Sequence, residues 1–291
     1  MAKRLLALLA AAGLIVAAVL IRSNVIDADD EPSTARPGTT LVCLTELRTI
    51  CDAAAASVGR LTVTTIAPTA DPPAGAVLVT FDPLPAAIDL VRTNRRDDPF
   101  EFTTTRIASS QLALVTRAGE FEQTCPAGDW RCLGDHATTL RPAFAPLSTG
   151  IGQISVAAVV RGWFGASSII GDDVEFARWA TRVKNVVPTS QLSGGTPIGT
   201  IQTARPAVGV AVGAEAEVLN SRRGDFRFLY ADPMTRYDIV LAEPAGARAP
   251  DGLATALAAA AADAGWSTGA VPGTPPTASD LVAATAAWGR L

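Results

Sequence analysis

Apolar and polar positions change rhythm several times along the 291 residues, and each change marks an element. Lys3 and Arg4 precede an uncharged apolar run from Leu5 to Ile21, closed by Arg22, Ser23 and Asn24. This pattern predicts a membrane-targeting helix whose charged end stays cytoplasmic and whose downstream residues are delivered outside. No convincing small-x-small site follows, so an uncleaved anchor is the reading and secretion after cleavage the alternative. The stretch DADDEPSTARPG (27–38) is acidic and Pro-containing, as suits a solvated spacer. The fold then begins near Thr39. TTLVCL (39–44) is β-branched and apolar without alternation, a strand buried on both faces, and TELRTICDAAAASVG has helical periodicity ending at Gly59. LTVTTIAP (61–68) and AVLVTFD (76–82) read as strands, and PLPAAIDLVRTN (83–94) reads as a helix with prolines in its first turn. Strands alternating with helices predict an α/β fold with mainly parallel sheets.

Beyond Pro99 the texture changes. FEFTTTRIASSQLALVTRAG (100–119) gives two strand-like runs separated by Ser109 and Ser110, as at a sheet edge or a crossing between lobes. A loop, CPAGDWRC, leads to the Pro-rich RPAFAPLSTG (141–150). Helical periodicity returns over 152–165 and 172–187, the second opening with acidic residues and closing with Arg182 and Lys184 as the helix dipole prefers. AVGVAVG (207–213), a short helix through Glu217 to Arg222, two strands FRFLYADP and RYDIVLAEP, an alanine-rich helix ending at Gly265 and a final helix SDLVAATAAWG complete the chain.

Hydrophobic residues make up 48% of the chain and charged residues 18%, ample for a core. Setting aside Lys3, Arg4 and Arg22 from the 24 basic residues leaves 21 against 28 acidic, a formal −7 that argues against nucleic acid as a partner. Cys43 with Cys51 and Cys125 with Cys132 form two close pairs, which in an oxidising compartment read as local disulfides. Four cysteines permit three pairings, and short loops are the simplest choice. Zinc is the competing reading, but His136 is the lone histidine and neither pair has zinc-knuckle spacing. A single histidine also leaves nucleophilic hydrolysis without a choice of base. Gly165-Ala-Ser-Ser-Ile fails a nucleophile elbow at its last position, Thr181-Arg-Val-Lys184 lies inside an amphipathic helix, and no P-loop or dinucleotide fingerprint occurs. The sequence therefore implies no enzyme, no metal and no cofactor.

The order of these elements resembles the type 2 periplasmic solute-binding proteins, in particular the membrane-anchored or secreted substrate-binding domains of actinobacteria. Four places carry the likeness: VCLTELRTICDA; VTFDPLPAAIDLV; the loop CPAGDWRCLGDHA with its Trp-Arg-Cys-Leu-Gly-Asp core at 130–135; and the C-terminal half from DVEFARWATRV through DPMTRYDIVLAEPAG to SDLVAATAAW. The stretch HATTLRPAFAP departs from the family, which often carries a tryptophan and glycine pair there. The resemblance implies a two-lobed type 2 periplasmic-binding-protein-like fold preceded by an N-terminal transmembrane helix. Its parts are an anchor at 1–22, a linker at 23–38, the first part of lobe 1 at 39–112, lobe 2 at 113–225, and a return to lobe 1 with C-terminal helices at 226–291.

Such folds close on a solute between the lobes, and ligands of open α/β sheets sit beyond the carboxyl ends of strands. That nominates Leu44, Thr45 and Glu46 after the first strand and Phe81 and Asp82 after the third. Ser148, Thr149 and Gly150 open a helix whose N–H groups take a carboxylate or other anion, and Tyr230, Asp232 and Thr235 lie near the return. Thr45, Asp82, Ser148 and Thr149 also read as plain helix caps. The implied function is capture of a small-molecule solute for transport or sensing, with a membrane transporter or envelope protein as partner. The alternative is an envelope interaction module that keeps the fold without a ligand.

Overall fold

The computed structural model describes residues 40–59, 61–117, 119–126, 129–165, 174–192, 196–203, 207–219 and 226–290. The candidate anchor and linker lie outside these residues. Among the described residues no helix is long and apolar enough to cross a membrane.

Apolar β-branched runs form the central strands. Strand β1 (Thr40–Leu44) pairs in parallel with β2 (Thr62–Ile66) on one side and β3 (Val77–Asp82) on the other. Leu41 to Leu44 are at most 1% exposed, so β1 is buried on both faces as its unbroken apolar run predicts. Strand β4 (Phe102–Thr116) is one continuous element. The two runs expected over 100–119 are joined through Ser109 and Ser110, and the irregularity lies instead between Arg106 and Ala108, where the register shifts. Ser109 and Ser110 do not break the strand because their hydroxyls find partners: Ser109 donates to Asp238, and Ser110 accepts from the Ala216 N–H.

Strand β4 belongs to two sheets. Its first part pairs with β8 (Arg236–Pro244), which pairs in turn with β3. Its last five residues, Leu112 to Thr116, pair with β6 (Val210–Ala214), and Leu114 to Thr116 also with β7 (Arg227–Leu229). The short β5 (Pro142–Ala143) completes the order β2-β1-β3-β8-β4-β6-β5, with β7 on β4. The expectation of mainly parallel sheets is corrected here: β1–β2, β1–β3 and β5–β6 are parallel, whereas β3–β8, β4–β8, β4–β6 and β4–β7 are antiparallel. The reason is topological, since a chain that leaves one half along β4 and returns along β8 must run the two legs in opposite directions.

Helix α1 (Arg48–Val58) buries Ile50, Cys51, Ala54 and Ala55, and α2 (Leu84–Arg95) follows β3. Three short helices, α3 (Glu120–Thr124), α4 (Trp130–Asp135) and α5 (Ala137–Leu140), build the cysteine loop. Helix α6 (Gly150–Phe164) is buried at every position from Gly150 to Val160, which makes it a core helix rather than an amphipathic one. Helices α7 (Val174–Val186), α8 (Pro197–Thr203) and α9 (Glu215–Leu219) cover the second sheet, and α10 (Leu253–Asp263) and α11 (Ala278–Arg290) close the fold. Helix α10 packs on α1, and α11 packs on both α6 and α2. The helix expected through Glu217 to Arg222 starts two residues earlier, and residues 220–225 lie outside the described set.

Both close cysteine pairs are disulfides. Cys43 bonds Cys51 with Cα atoms 6.7 Å apart, which requires α1 to fold back beside β1, and Cys125 bonds Cys132 at 5.7 Å. His136 is exposed at the α4–α5 junction.

Candidate functional site

The carboxyl edge of the first sheet collects the ends of β1 and β3, the start of β8 and the middle of β4. Helix α6 points its N-terminus at this edge. Thr149 is its N-cap: the hydroxyl accepts from the Gly152 N–H at 3.0 Å and donates to the Pro146 carbonyl at 2.8 Å. The cap leaves the Gly150 N–H pointing outward, and Glu46 meets it, with Oε1 accepting that hydrogen bond. Gly150 fits because it lacks a side chain. A Cβ there would stand 2.7 Å from Phe81 Cδ2 and 3.0 Å from both Glu46 Oε1 and Leu44 Cδ1. The strand ends and the helix start are thus in direct contact, and the anion expected at the helix N-terminus is the chain's own carboxylate.

Burial raises the pKa of Glu46, opposed by the backbone N–H groups of Glu46 itself, Gly150 and Ile151. Its other oxygen, Oε2, is buried and has no hydrogen-bond partner among the described residues. Nearby, Glu217 accepts from the Ala214 N–H at 3.2 Å. Burial lifts its pKa to about 7, the Ala214 N–H works against the rise, and the charge of Glu46 adds to it. Tyr237, fully buried, shares a 2.8 Å hydrogen bond with Ser155, one turn into α6, and Ser155 also donates to the Ile151 carbonyl at 2.8 Å. The phenol is pushed far above its ordinary range by burial, against the Ser155 hydrogen bond and with the charge of Glu217. Phe81 forms the apolar wall, 5.7 Å from Trp266 in a stacked pair and 6.1 Å from Tyr237.

The remaining nominated residues divide. Thr45 is exposed and its hydroxyl donates to the Ile66 carbonyl at 3.4 Å, so it ties β1 to β2 rather than capping a helix. Ser148 is exposed in the turn before the cap. Asp82 stands opposite Asp238 in register, and strand alternation puts both on the face opposite Phe81, Ile239 and Tyr237, away from the α6 start. Burial raises its pKa first, the charge of Asp238 adds to this, and Arg236 opposes it. Arg236 is committed to Asp238 at 2.9 Å and to the Gly273 carbonyl at 2.8 Å. Asp82 is not a cap either, since Pro83 holds that position before α2 without a side-chain hydrogen bond. Tyr230 lies at the α9 start, its phenol pushed up to about 12 by burial, by the charge of Glu215 and by a hydrogen bond to it. Asp232 is exposed, and its carbonyl lies 3.4 Å from where a Gly162 Cβ would stand. Gly162 is twelve residues along α6 from Gly150, roughly 18 Å at 1.5 Å per residue, so Asp232 is at the wrong end of the helix. Thr235 is buried under the β8 start, its carbonyl accepting from Leu112 N.

Sequence reasoning missed Glu217, Ser155 and Tyr237. One signal was available: a serine within the apolar run of α6 and a tyrosine opening an apolar strand are polar groups in segments that must be buried, and buried polar groups need partners.

No protein-family model and no curated protein matches the chain. Solved structures do. A ferric binding protein from Campylobacter jejuni superposes with a TM-score of 0.57 at 8% identity, covering 87% of this chain and 98% of that one. A periplasmic thiamin binding protein gives 0.53 at 10% identity, covering 87% and 95%. Iron-bound HitA from Pseudomonas aeruginosa gives 0.52 at 15% identity, covering 86% and 97%. With β4 running through both sheets, the chain has the two-lobed α/β fold of the type 2 periplasmic solute-binding proteins.

Proposed function

We propose that this protein is an extracytoplasmic solute-binding protein that captures a small molecule between its two lobes for a membrane transporter or a sensor. The fold supports the reading, and the observation that carries it is the meeting of the β1 and β3 ends with the α6 start around a carboxylate oxygen that has no partner among the described residues. An opening of the lobes there exposes Glu46, Gly150, Phe81 and Tyr237 together. With Glu46 and Glu217 both acidic, the site favours an uncharged or cationic solute. Residues 1–22 act as an anchor that keeps the binding domain at the outer membrane surface, in the manner of the actinobacterial group. The lobes divide at 39–112, 113–225 and 226–291.

The test is thermal unfolding of full-length protein in mild detergent against amino acids, sugars, oxyanions and polyamines. A solute at one hundred times its Kd stabilises by about 2.7 kcal/mol, or roughly 5–10 °C for a domain of this size. The contact of Glu46 with Gly150 closes the site without a solute, and this favours a second reading: an envelope interaction module that keeps the fold and needs no ligand. A screen with no stabilising compound in any class would select that second reading. Anchoring is tested separately, by whether the full-length protein stays with membranes after a high-salt wash.

A further inference from the structure

The start of a long helix is the natural seat for an anion, because its first N–H groups have no partner within the helix and the dipole favours negative charge. In this chain that seat is taken from within. Thr149 satisfies Gly152 N, and Glu46 satisfies Gly150 N from across the sheet edge, 104 residues away in sequence. Three features show a built seat rather than a chance contact. Gly150 has no side chain where any Cβ would collide with Phe81 and crowd Glu46 and Leu44. The Glu46 side chain is partly buried, and its Oε2 is enclosed with no hydrogen-bond partner among the described residues. Glu46 itself enters by a single 3-10 turn, Thr45–Leu47, directly off β1, which fixes its direction of approach.

We infer that Glu46 is a tethered internal ligand: its carboxylate fills the anion position at the start of α6, holds the edge of the first sheet against that helix, and bars anionic solutes from the cleft. A free anion competing for the Gly150 N–H faces a carboxylate present at an effective concentration on the order of millimolar or higher. It also faces the nearby charge of Glu217, whose attraction for a proton the Glu46 charge already strengthens. Negative charges brought into one low-dielectric site repel each other at a cost. The solutes that remain are those that leave the Glu46–Gly150 contact in place, or that bring a donor to Oε2. What the inference says about solutes rests on the binding reading above, whereas the seat itself does not.

The test uses the full-length protein in mild detergent and formate as the probe. In E46A the seat is vacated and the melting temperature should fall. Sodium formate at 100 mM should then restore roughly 3–6 °C relative to sodium chloride at equal ionic strength, the shift given by a site with a Kd of roughly 10 mM. Wild-type protein should respond to the two salts alike. E46Q, which keeps an oxygen acceptor for the Gly150 N–H, should melt within about 2 °C of wild type and ignore formate. An E46A protein that formate does not stabilise, or a wild type that formate stabilises equally, would overturn the inference. So would an E46A protein that fails to fold at every formate concentration while E46Q folds, because the seat would then need more than a carboxylate. Rescue needs no solute, so an empty solute screen leaves this test intact, and a failed rescue leaves solute binding open.

Discussion

Glu217 carries a penalty that depends on pH, and its size follows from its surroundings. Burial lifts its pKa from an ordinary 4.5 to about 7, with the charge of Glu46 adding to the rise. The folded protein therefore holds the Glu217 proton more tightly than the unfolded chain does. Below pH 4.5 both states are protonated and the group costs nothing. Between 4.5 and about 7 the unfolded chain ionises while the folded protein still holds its proton, so stability falls across that window and levels off once the folded carboxyl has ionised too. The difference between 4.5 and about 7 corresponds to about 3 kcal/mol, all of it lost by roughly pH 8.5. E217Q removes the titration but keeps an oxygen to accept from the Ala214 N–H. Urea unfolding at steps from pH 4 to 8.5 should show wild type losing about 3 kcal/mol more than E217Q across that range. Raised carboxyls at Glu46 and Asp82 give both proteins a residual slope of the same sign, so the difference between the two curves reports Glu217 together with its coupling to Glu46. Parallel curves would refute the reasoning and place the Glu217 carboxyl in water.

Replacing Cys43 and Cys51 by alanine releases a loop of sequence separation 8, and chain entropy puts the loss near 2.5 kcal/mol, measurable as a lower urea midpoint in the double mutant. Gly152→Ala would set a Cβ 2.2 Å from the Pro146 carbonyl oxygen and 2.6 Å from that of Ala145; backbone cannot swing aside, so a loss of about 3 kcal/mol is expected on denaturation. Tyr237→Phe deletes the hydroxyl that bonds Ser155 but keeps the ring beside Phe81, so the cost should be about 1–2 kcal/mol, and a loss below 0.5 kcal/mol would show that the Ser155 bond contributes little.

Much of the fold was legible because its elements obey local rules. The unbroken apolar runs of β1 and β3, the alternation of strand and helix up to Arg95, and the short cysteine spacings each dictate their structure without reference to distant residues. The sheet order was not legible in this way. β8 lies between β3 and β4 although more than a hundred residues separate it from either, and no local pattern distinguishes a strand with antiparallel neighbours from one with parallel neighbours once both faces are buried. Ser109 and Ser110 misled for a related reason. Two serines read as a break, yet Asp238 and the α9 backbone, both distant in sequence, satisfy them inside the strand.

The site was half legible, and the dividing line is physical. Leu44, Glu46, Phe81 and Gly150, nominated from strand ends and a helix start, are neighbours in the structure, because strand ends and helix starts are backbone features that sequence marks. Sequence could not say which way a terminal side chain faces. Phe81 and Asp82 are adjacent, but the pleat sends one towards α6 and the other to the Asp238 side, so a nomination by strand end alone mixes residues from the two faces of the sheet. Nor could it show that the anion seat was already filled. That fact joins Glu46 to Gly150 across 104 residues, and it follows only once the glycine is seen to be the position where Phe81, Leu44 and a carboxylate all converge. A helix start that reads in sequence as an open invitation to an anion is in the folded chain a closed contact, made by a carboxylate from the end of β1.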